Sequence, residues 1–306
     1  MNSERSLGNN RTYQMCTRCI MDTTDPDIVF DEQGVCNHCT GFIERLESRK
    51  YIKGESEKEW NHYLAAVKSK GEGKKYDCIL GISGGVDSCY AAYLCKQQGL
   101  RTLLIHMDNG WDTEIAVNNI KTLARNLGFD YMSYVLDWEE FRDIQLAYLK
   151  ASSVDLEMPT DVAIPACIYE VAVKHKIKYI ISGGNLSSEG ILPLHWGYHV
   201  YKDMKMYRHI VGKYGNTRIR KVPVIGLLKE SYYRFIYGIK TLYILNYTNY
   251  NKDVAKQYLM DNLDWKDYGG KHHESKITAF WQSYAMYVKF GIDYRKAILS
   301  SQICLH

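Results

Sequence analysis

The stretch Ile79-Leu80-Gly81-Ile82-Ser83-Gly84-Gly85-Val86-Asp87-Ser88 decides the fold of this chain. The apolar run at 78–82 predicts a buried parallel strand, and the pattern at 87–98 predicts a helix directly after the glycines. Free N–H groups and the helix dipole favour an anion at such a helix N-terminus, and glycine lets the backbone approach it closely. The sequence therefore predicts a phosphate-binding loop at the centre of the molecule.

The loop lacks the Gly-Lys-Ser/Thr ending of a Walker loop. Its Ser-Gly-Gly-x-Asp-Ser pattern resembles the PP-loop of the ATP pyrophosphatases, and the alternative is an ordinary glycine turn in a Rossmann-like sheet. The resemblance implies that the loop grips the β- and γ-phosphates while ATP is split between α and β, and that AMP passes to a carbonyl oxygen. It places Asp87 near Mg²⁺. It also assigns phosphate contacts to four residues, Ser83, Gly84, Gly85 and Ser88.

Strands and helices alternate after residue 76, which predicts an α/β fold with a doubly wound parallel sheet, an adenine nucleotide alpha hydrolase-like arrangement. An N-terminal zinc ribbon and a C-terminal helical segment flank it. The predicted strands are 78–82, 102–107, 131–136 and 178–182, with 222–226 as a candidate fifth. The predicted helices are 87–98, 113–127, 139–150, 166–175, 229–239, 253–263 and a final helix at 275–290. Pro159 and Pro165 predict a loop before residue 166.

Ligands of such sheets bind at the carboxyl ends of the strands, where the loops 83–88, 108–111 and 182–189 converge. Met107 and Asp108 are predicted to meet the adenosine, although Asp108 also suits a turn residue.

The loop at 182–189 contains a second glycine turn, Ser182-Gly183-Gly184-Asn185. Gly183 permits close backbone approach to a nucleotide. Asn185 and Glu189 place an amide and a carboxylate beside the phosphates, where a carboxylate can hold Mg²⁺. The equal alternative is that Glu189 is simply an acidic residue at the N-terminus of a helix, where it complements the helix dipole.

Two cysteine pairs, Cys16-Thr-Arg-Cys19 and Cys36-Asn-His-Cys39, stand sixteen residues apart near the N-terminus. This spacing is typical of a four-thiolate zinc site, because each knuckle delivers two sulfurs to one tetrahedron. A short predicted strand at 28–30 between two turns completes the outline of a zinc ribbon. An iron–sulfur cluster and a redox dithiol are the alternatives. His38 is predicted to be a surface histidine rather than a ligand.

The composition, 46% apolar and 24% charged, is that of a soluble globular protein. The net charge of +4 over 306 residues neither demands nor excludes nucleic acid. The first fifteen residues lack an apolar signal core, and no apolar run approaches a membrane span. The sequence predicts a cytoplasmic protein without a membrane partner, whose nine cysteines are thiols or metal ligands.

Shifts in composition predict five regions along the chain. They are a disordered tail at 1–12, the zinc ribbon at 13–45, a helical linker at 46–75, a PP-loop ATP pyrophosphatase domain at 76–225 and a C-terminal helical substrate or partner region at 226–306.

Further segments extend the resemblance over nearly the whole chain. They are Ile180-Ile-Ser-Gly-Gly-Asn-Leu-Ser-Ser-Glu-Gly190-Ile-Leu-Pro, His195-Trp-Gly-Tyr198, Gly270-Lys-His-His-Glu-Ser275 and Lys289-Phe-Gly-Ile-Asp293. With the cysteine ribbon and the PP-loop, they resemble the N-acetyl sugar amidotransferase family of bacterial lipopolysaccharide, O-antigen and nonulosonic-acid biosynthesis. By position alone, Lys271 and His272 suit an exposed helix cap. The resemblance implies that both belong to the active site with Asp87, Asn185 and Glu189.

The implied reaction converts the N-acetyl group of a nucleotide-linked sugar, such as a UDP-sugar, into an acetamidino group. The amide oxygen attacks the α-phosphorus of ATP in the presence of Mg²⁺, and pyrophosphate departs into the loop. Ammonia then attacks the O-adenylyl imidate and AMP leaves. The reaction requires no protein nucleophile, and Cys167 is predicted to be a packed thiol.

The sequence has no Gly-x-Cys-x-Gly elbow and no cysteine beside Met1, so it predicts no glutaminase within this chain. The resemblance implies a separate glutaminase subunit and a cyclase-like barrel subunit that supply ammonia.

The main alternative is a PP-loop tRNA sulfurtransferase, because some of these enzymes also carry a cysteine ribbon. They usually need further cysteine pairs, and the five cysteines outside the ribbon form no Cys-x-x-Cys pair. The small net charge also disfavours a tRNA groove. A non-catalytic nucleotide-binding scaffold is the third hypothesis.

Overall fold

The computed structural model describes residues 11–48, 55–196, 203–216, 218–270 and 272–305. The predicted tail at 1–12 lies outside these residues except for its last two, and Lys271 lies outside them as well. The helices are α1 (Asn37–Ser48), α2 (Glu55–Gly71), α3 (Val86–Gln97), α4 (Glu114–Leu127), α5 (Trp138–Lys150), α6 (Met158–Lys174), α7 (Leu186–Glu189), α8 (Met204–Tyr214), α9 (Leu227–Ser231), α10 (Lys252–Leu263), α11 (Lys276–Phe280), α12 (Met286–Phe290) and α13 (Tyr294–Ile303). The strands are β1 (Cys78–Gly81), β2 (Thr102–Asp108), β3 (Asp130–Val135), β4 (Tyr179–Ser182) and β5 (Lys240–Tyr243).

The sheet has the order β3-β2-β1-β4-β5, and every pairing in it is parallel. The chain starts in the middle at β1, adds β2 and β3 on one side, and then crosses to β4 on the other. Leu80 accordingly lies between Leu104 of β2 and Ile181 of β4. This reversal creates a crevice between β1 and β4 at the carboxyl ends of the strands, where ligands of such sheets bind.

Both faces of the sheet are covered by apolar side chains, which confirms the predicted doubly wound fold. On one face, Ile79 and Ile105 pack with Phe141 of α5 and Ala166 of α6. On the other face, Leu80 and Leu104 pack against α3, α4 and α10. The central strand is a continuous apolar run because it is buried on both sides.

The predicted loop around Pro159 and Pro165 is wrong, because both prolines lie inside α6. Pro159 occupies the first turn, where the backbone N–H has no helical partner to lose. Pro165 forfeits one helical hydrogen bond, but Ala163 and Ala166 beside it are fully buried in the core. Tertiary packing therefore outweighs the local proline signal.

The predicted fifth strand at 222–226 is also wrong, since the fifth strand is β5 within the region predicted to be helical, 226–306. Val222 is buried as a core residue, but its N–H does not enter a strand ladder. The Glu140 carboxylate accepts the backbone N–H groups of Arg220, Lys221 and Val222 at 2.8–3.0 Å. A side chain thus satisfies the donors that a neighbouring strand would otherwise bind.

The helix predicted at 275–290 is present as α11, a π-helical turn at Trp281–Ala285, and α12. It is not the final helix, because α13 follows it. Gly291 ends α12 in the left-handed conformation at φ 72°, and Asp293 caps α13 by accepting the Arg295 N–H at 3.2 Å. Within the described residues, no helix combines the length and the apolar character needed to cross a membrane.

Candidate active site

Hydrogen bonds made by its own serines fix the shape of the glycine loop between β1 and α3. The Ser88 hydroxyl donates to the Gly85 carbonyl and accepts from the Ser83 N–H, both at 3.2 Å. Gly84 has a φ of 83°, and a Cβ there would lie 2.5 Å from the Ala116 carbonyl oxygen of α4. Only glycine fits this position without moving the backbone.

The first turn of α3 begins at the glycine loop. Gly85 is the N-cap residue and has no side chain with which to cap the helix. The N–H groups of a helix N-terminus together with the helix dipole attract an anion. The loop geometry is compatible with an anion, and phosphate binding here stays a prediction.

The second glycine turn presses directly against the first. A Cβ on Gly183 would lie 2.8 Å from both the Cα and the backbone nitrogen of Ser88. Asn185 is buried, and its amide donates to the Gly183 carbonyl at 3.2 Å. The two turns thus form one continuous wall in which each fixes the position of the other.

The segment around α10 supports the glycine loop from the opposite side. The Tyr250 hydroxyl donates to the Asp87 carboxylate. The Trp265 indole N–H donates to the Gly84 carbonyl at 2.9 Å in a buried environment. These contacts join residues more than 160 positions apart, and no local pattern in the sequence indicates them.

The segment before α11 docks on the loop that follows β2. The Thr113 N–H donates to the Glu274 carbonyl, and the Lys276 N–H donates to the Trp111 carbonyl, both at 2.9 Å. This docking places Glu274 beside the glycine loop, where its Oε1 would lie 3.2 Å from a Cβ on Gly85. His272 lies 3.8 Å from the same Glu274 oxygen. Burial opposes the ionisation of Glu274, but His272 outweighs it and lowers the pKa of the carboxyl group.

The crevice is a cleft of about 1690 Å³. Pockets for one small ligand usually measure about 300–1,000 Å³, so the cleft has room for a nucleotide and a second substrate. Eight predicted site residues line it: Ser83, Gly85, Asp87, Ser88, Met107, Gly183, Glu189 and His272.

Three further predicted residues, Gly84, Asp108 and Asn185, lie behind the cleft surface and shape its loops. The Asp108 carboxylate accepts the Gly110 N–H at 2.9 Å, as the turn alternative predicts. Lys271 remains a prediction outside the described residues.

Sequence reasoning missed His106, which lies in β2 and lines the cleft. Its Nδ1 lies 3.0 Å from the Ile82 carbonyl and its Nε2 lies 3.2 Å from the Asp112 carboxylate. Burial lowers the pKa of His106, but Asp112 and the carbonyl more than compensate, and the net pKa is raised. A histidine inside an apolar strand one residue before the predicted Met107 was the available signal.

We expect the His106–Asp112 pair to make stability depend on pH. Because the folded pKa lies above the ordinary value of about 6.5, the stabilisation is complete below that pH and disappears as pH rises through the folded pKa. The difference in Tm between the wild type and His106→Gln should therefore shrink as pH is raised from about 6 to about 9. Thermal unfolding across this range measures it, and a constant difference would contradict the charged pair.

The four predicted ligand cysteines Cys16, Cys19, Cys36 and Cys39 converge and are buried. Their sulfur atoms lie within 4.8 Å of one another, with separations of 3.9 Å (Cys16–Cys39), 3.8 Å (Cys19–Cys36) and 3.6 Å (Cys36–Cys39). Four sulfurs at about 2.3 Å from one tetrahedral ion would stand about 3.8 Å apart. The group therefore fits one metal ion better than a cluster of several irons, in which each thiolate binds a different iron and stands farther from the others.

His38 lies outside the group of four and instead contacts the Asp25 carboxylate at 2.5 Å, partly buried.

Comparison with known proteins identifies the class of the central region. The NAD synthase family model matches residues 60–158, which include β1, the glycine loop and β2. Residues 60–158, about a third of the chain, are therefore similar to NAD synthase, which agrees with the parallel sheet and the glycine loop after β1.

Individual relatives are similar over shorter stretches. The tRNA(Ile)-lysidine synthase of Chlamydia pneumoniae is 30% identical over 92 residues, which are 29% of this chain and 27% of that protein. The tRNA-specific 2-thiouridylase MnmA 1 of Geobacillus kaustophilus is 38% identical over 68 residues, which are 20% of this chain and 18% of that protein. The chain thus spans less than a third of the length of each of these two curated relatives.

Among solved structures, U34-tRNA thiolase NcsA from Methanococcus maripaludis with its 4Fe-4S cluster is 14% identical with a TM-score of 0.39. The similarity covers 97% of this chain and 90% of that one.

Proposed function

We propose that this chain is an ATP-dependent, AMP-forming amidotransferase that converts the N-acetyl group of a nucleotide-linked sugar into an acetamidino group. The phosphate geometry of the glycine loop and the NAD synthase-like match support the use of ATP. The volume of the cleft supports a second, bulky substrate beside the nucleotide. The segments that resemble the sugar amidotransferases support the choice of sugar.

The state of the cysteines supports nitrogen transfer over sulfur transfer. All nine cysteines are described and buried. Among the described residues that line the cleft, Cys167 is the one cysteine, and burial raises its pKa to about 12. A sulfur carrier must be a thiolate that its partners can reach, so Cys167 does not suit this role.

The proposal gives each part of adenylation to named groups. The loop N–H groups and the N-terminus of α3 would hold the phosphates of the leaving pyrophosphate. The carboxylates of Asp87 and Glu274 are the groups that would hold Mg²⁺ against those phosphates, and the ion supplies charge neutralisation. His106, whose pKa Asp112 helps to raise against the effect of burial, lines the same cleft. In this proposal Glu189, Lys271 and His272 contact the sugar or the phosphates.

The proposal includes an external ammonia source, a separate glutaminase with a cyclase-like barrel subunit. We expect the purified chain to modify a UDP-linked N-acetyl sugar in the presence of ATP, Mg²⁺ and ammonium chloride, but not with glutamine in place of ammonium. Mass spectrometry should find oxygen replaced by NH in the sugar, together with AMP and pyrophosphate. Glutamine-driven turnover by the chain alone would contradict the need for partners, and inertness toward a panel of such sugars would contradict the activity.

tRNA modification is the second candidate, because two curated relatives that are similar to part of the chain are tRNA enzymes by name. Filter binding with total tRNA at rising salt separates the two functions. Submicromolar binding that weakens steeply with salt would favour tRNA, whereas the sugar proposal expects weak binding without preference for tRNA.

A further inference from the structure

The wall of the cleft contains buried oxygen atoms that lack a hydrogen-bond partner among the described residues. They are Glu157 Oε1, Thr160 Oγ1 and Glu274 Oε2, and all three residues line the cleft. Buried polar atoms are rarely left unpaired, because each costs the free energy of its lost hydration. Two of the three atoms are carboxylate oxygens, which accept hydrogen bonds or bind cations.

Glu157 is the most deeply buried member of this group, with 8% of the residue exposed. Its other oxygen, Oε2, accepts from the Thr278 hydroxyl at 2.7 Å. Asp155 fixes the backbone beside it, because its carboxylate accepts the N–H groups of Glu157 and Met158, both at 3.0 Å. One oxygen of Glu157 is therefore anchored, while the other is buried without a hydrogen-bond partner among the described residues.

The surroundings favour a cation that carries N–H groups over a metal ion. Within the described chain, only the four ribbon cysteines bring three or more metal-ligand atoms within 4.8 Å of one another, so the acidic residues of the cleft do not form a preassembled metal site. Glu274 also lines the cleft near Glu157, and its lowered pKa favours the negatively charged carboxylate there. A persulfide anion would be repelled here, whereas an ammonium ion would be attracted.

We propose that Glu157 binds the incoming ammonium ion and accepts a proton from it, an assignment that rests on the proposed amidotransferase function. Ammonium gives one proton to Glu157 Oε1, and the nitrogen lone pair then forms a C–N bond to the imidate carbon. The C–O bond breaks as AMP leaves with its electron pair. One proton of the added nitrogen moves to the imidate nitrogen, and the product is an amidinium ion. Atoms and charge balance without any oxidant or reductant.

The variant Glu157→Gln tests this assignment, because its amide oxygen can still accept from Thr278 but it cannot take a proton from ammonium. We expect kcat/KM for ammonium to fall by about 100-fold or more, the usual effect of losing a general base. Pyrophosphate release in a single turnover without ammonium should stay within about twofold of the wild type, because adenylation precedes this step. Glu170→Gln is the matched control in α6, the helix for which Glu157 is the N-cap residue, because Glu170 pairs with Lys229 and neither lines the cleft. It should leave both rates unchanged.

An unchanged ammonium dependence in Glu157→Gln, with sugar turnover intact, would overturn the role of Glu157 and leave the proposed function standing. If no sugar is turned over, the proposed function fails, and thermal unfolding then tests whether Glu157 binds ammonium. A higher wild-type Tm in ammonium chloride than in equal potassium chloride, lost in Glu157→Gln, would support it. Equal Tm values in both salts would overturn it. Glu157→Asp, which keeps a carboxylate, gives a second variant should the glutamine form fold poorly.

Discussion

Gly183→Ala is expected to reduce ATP-dependent turnover by about 100-fold or more, the effect of displacing catalytic groups by about 1 Å. The added methyl group would lie 2.8 Å from the Cα and nitrogen of Ser88 and 2.9 Å from the carbonyl carbon of Asp87. These are backbone atoms of α3, so the contact cannot be relieved by a rotamer change. Either the glycine loop or the second turn must move, and the phosphate site then loses its shape.

Gly184→Ala is the matched control for this experiment, because it adds the same group to the adjacent residue. A Cβ on Gly184 would meet ring atoms of Tyr243 at 3.2 Å and the Ser182 hydroxyl at 3.3 Å, which are side-chain atoms that can shift. We expect this variant to retain most of its turnover and the rise in Tm that ATP produces. Equal ATP-induced stabilisation in both variants would show that the close approach of the two turns is unimportant.

The parts of the fold that the sequence predicts correctly are those with a local physical cause. β1 and the glycine loop were predictable because a run of buried apolar residues and a glycine turn both act within ten residues. β5 was not, since it has four residues and only Leu242 among them is buried. Its place in the sheet is set by parallel pairing with β4, some sixty residues away.

The candidate site divides in the same way. The predicted phosphate loop follows from a contiguous motif, whereas the surroundings of Glu157 depend on Thr278, 121 residues farther along the chain. Pro159 predicted a loop at this place, where α6 in fact begins. Long-range hydrogen bonds leave no periodic pattern in the sequence, so the sequence predicts the glycine loop but not the Glu157 side of the cleft.

Cys36→Ser is expected to remove the metal from the cysteine ribbon and to lower Tm by about 10 °C or more. Structural zinc contributes about 10–16 kcal/mol of apparent binding energy in small zinc modules, and loss of even part of this exceeds most single core substitutions. Metal analysis should find about one ion per chain in the wild type and little in the variant. Zinc is the metal we propose, and iron in the same assay would favour the iron alternative.

Cys304→Ser provides the control, because Cys304 is a fifth buried thiol with its sulfur 3.3 Å from that of Cys39 but outside the group of four. It should keep the metal, and loss as complete as in Cys36→Ser would mean that five sulfurs share the site. The ribbon contacts α13, because Ser300 accepts the Ile20 N–H at 3.3 Å. The next residue of α13, Ser301, accepts the Ile191 N–H at 2.9 Å. Since Ile191 lines the cleft, removal of the metal should lower turnover as well as Tm, although none of the four ligand cysteines lines the cleft.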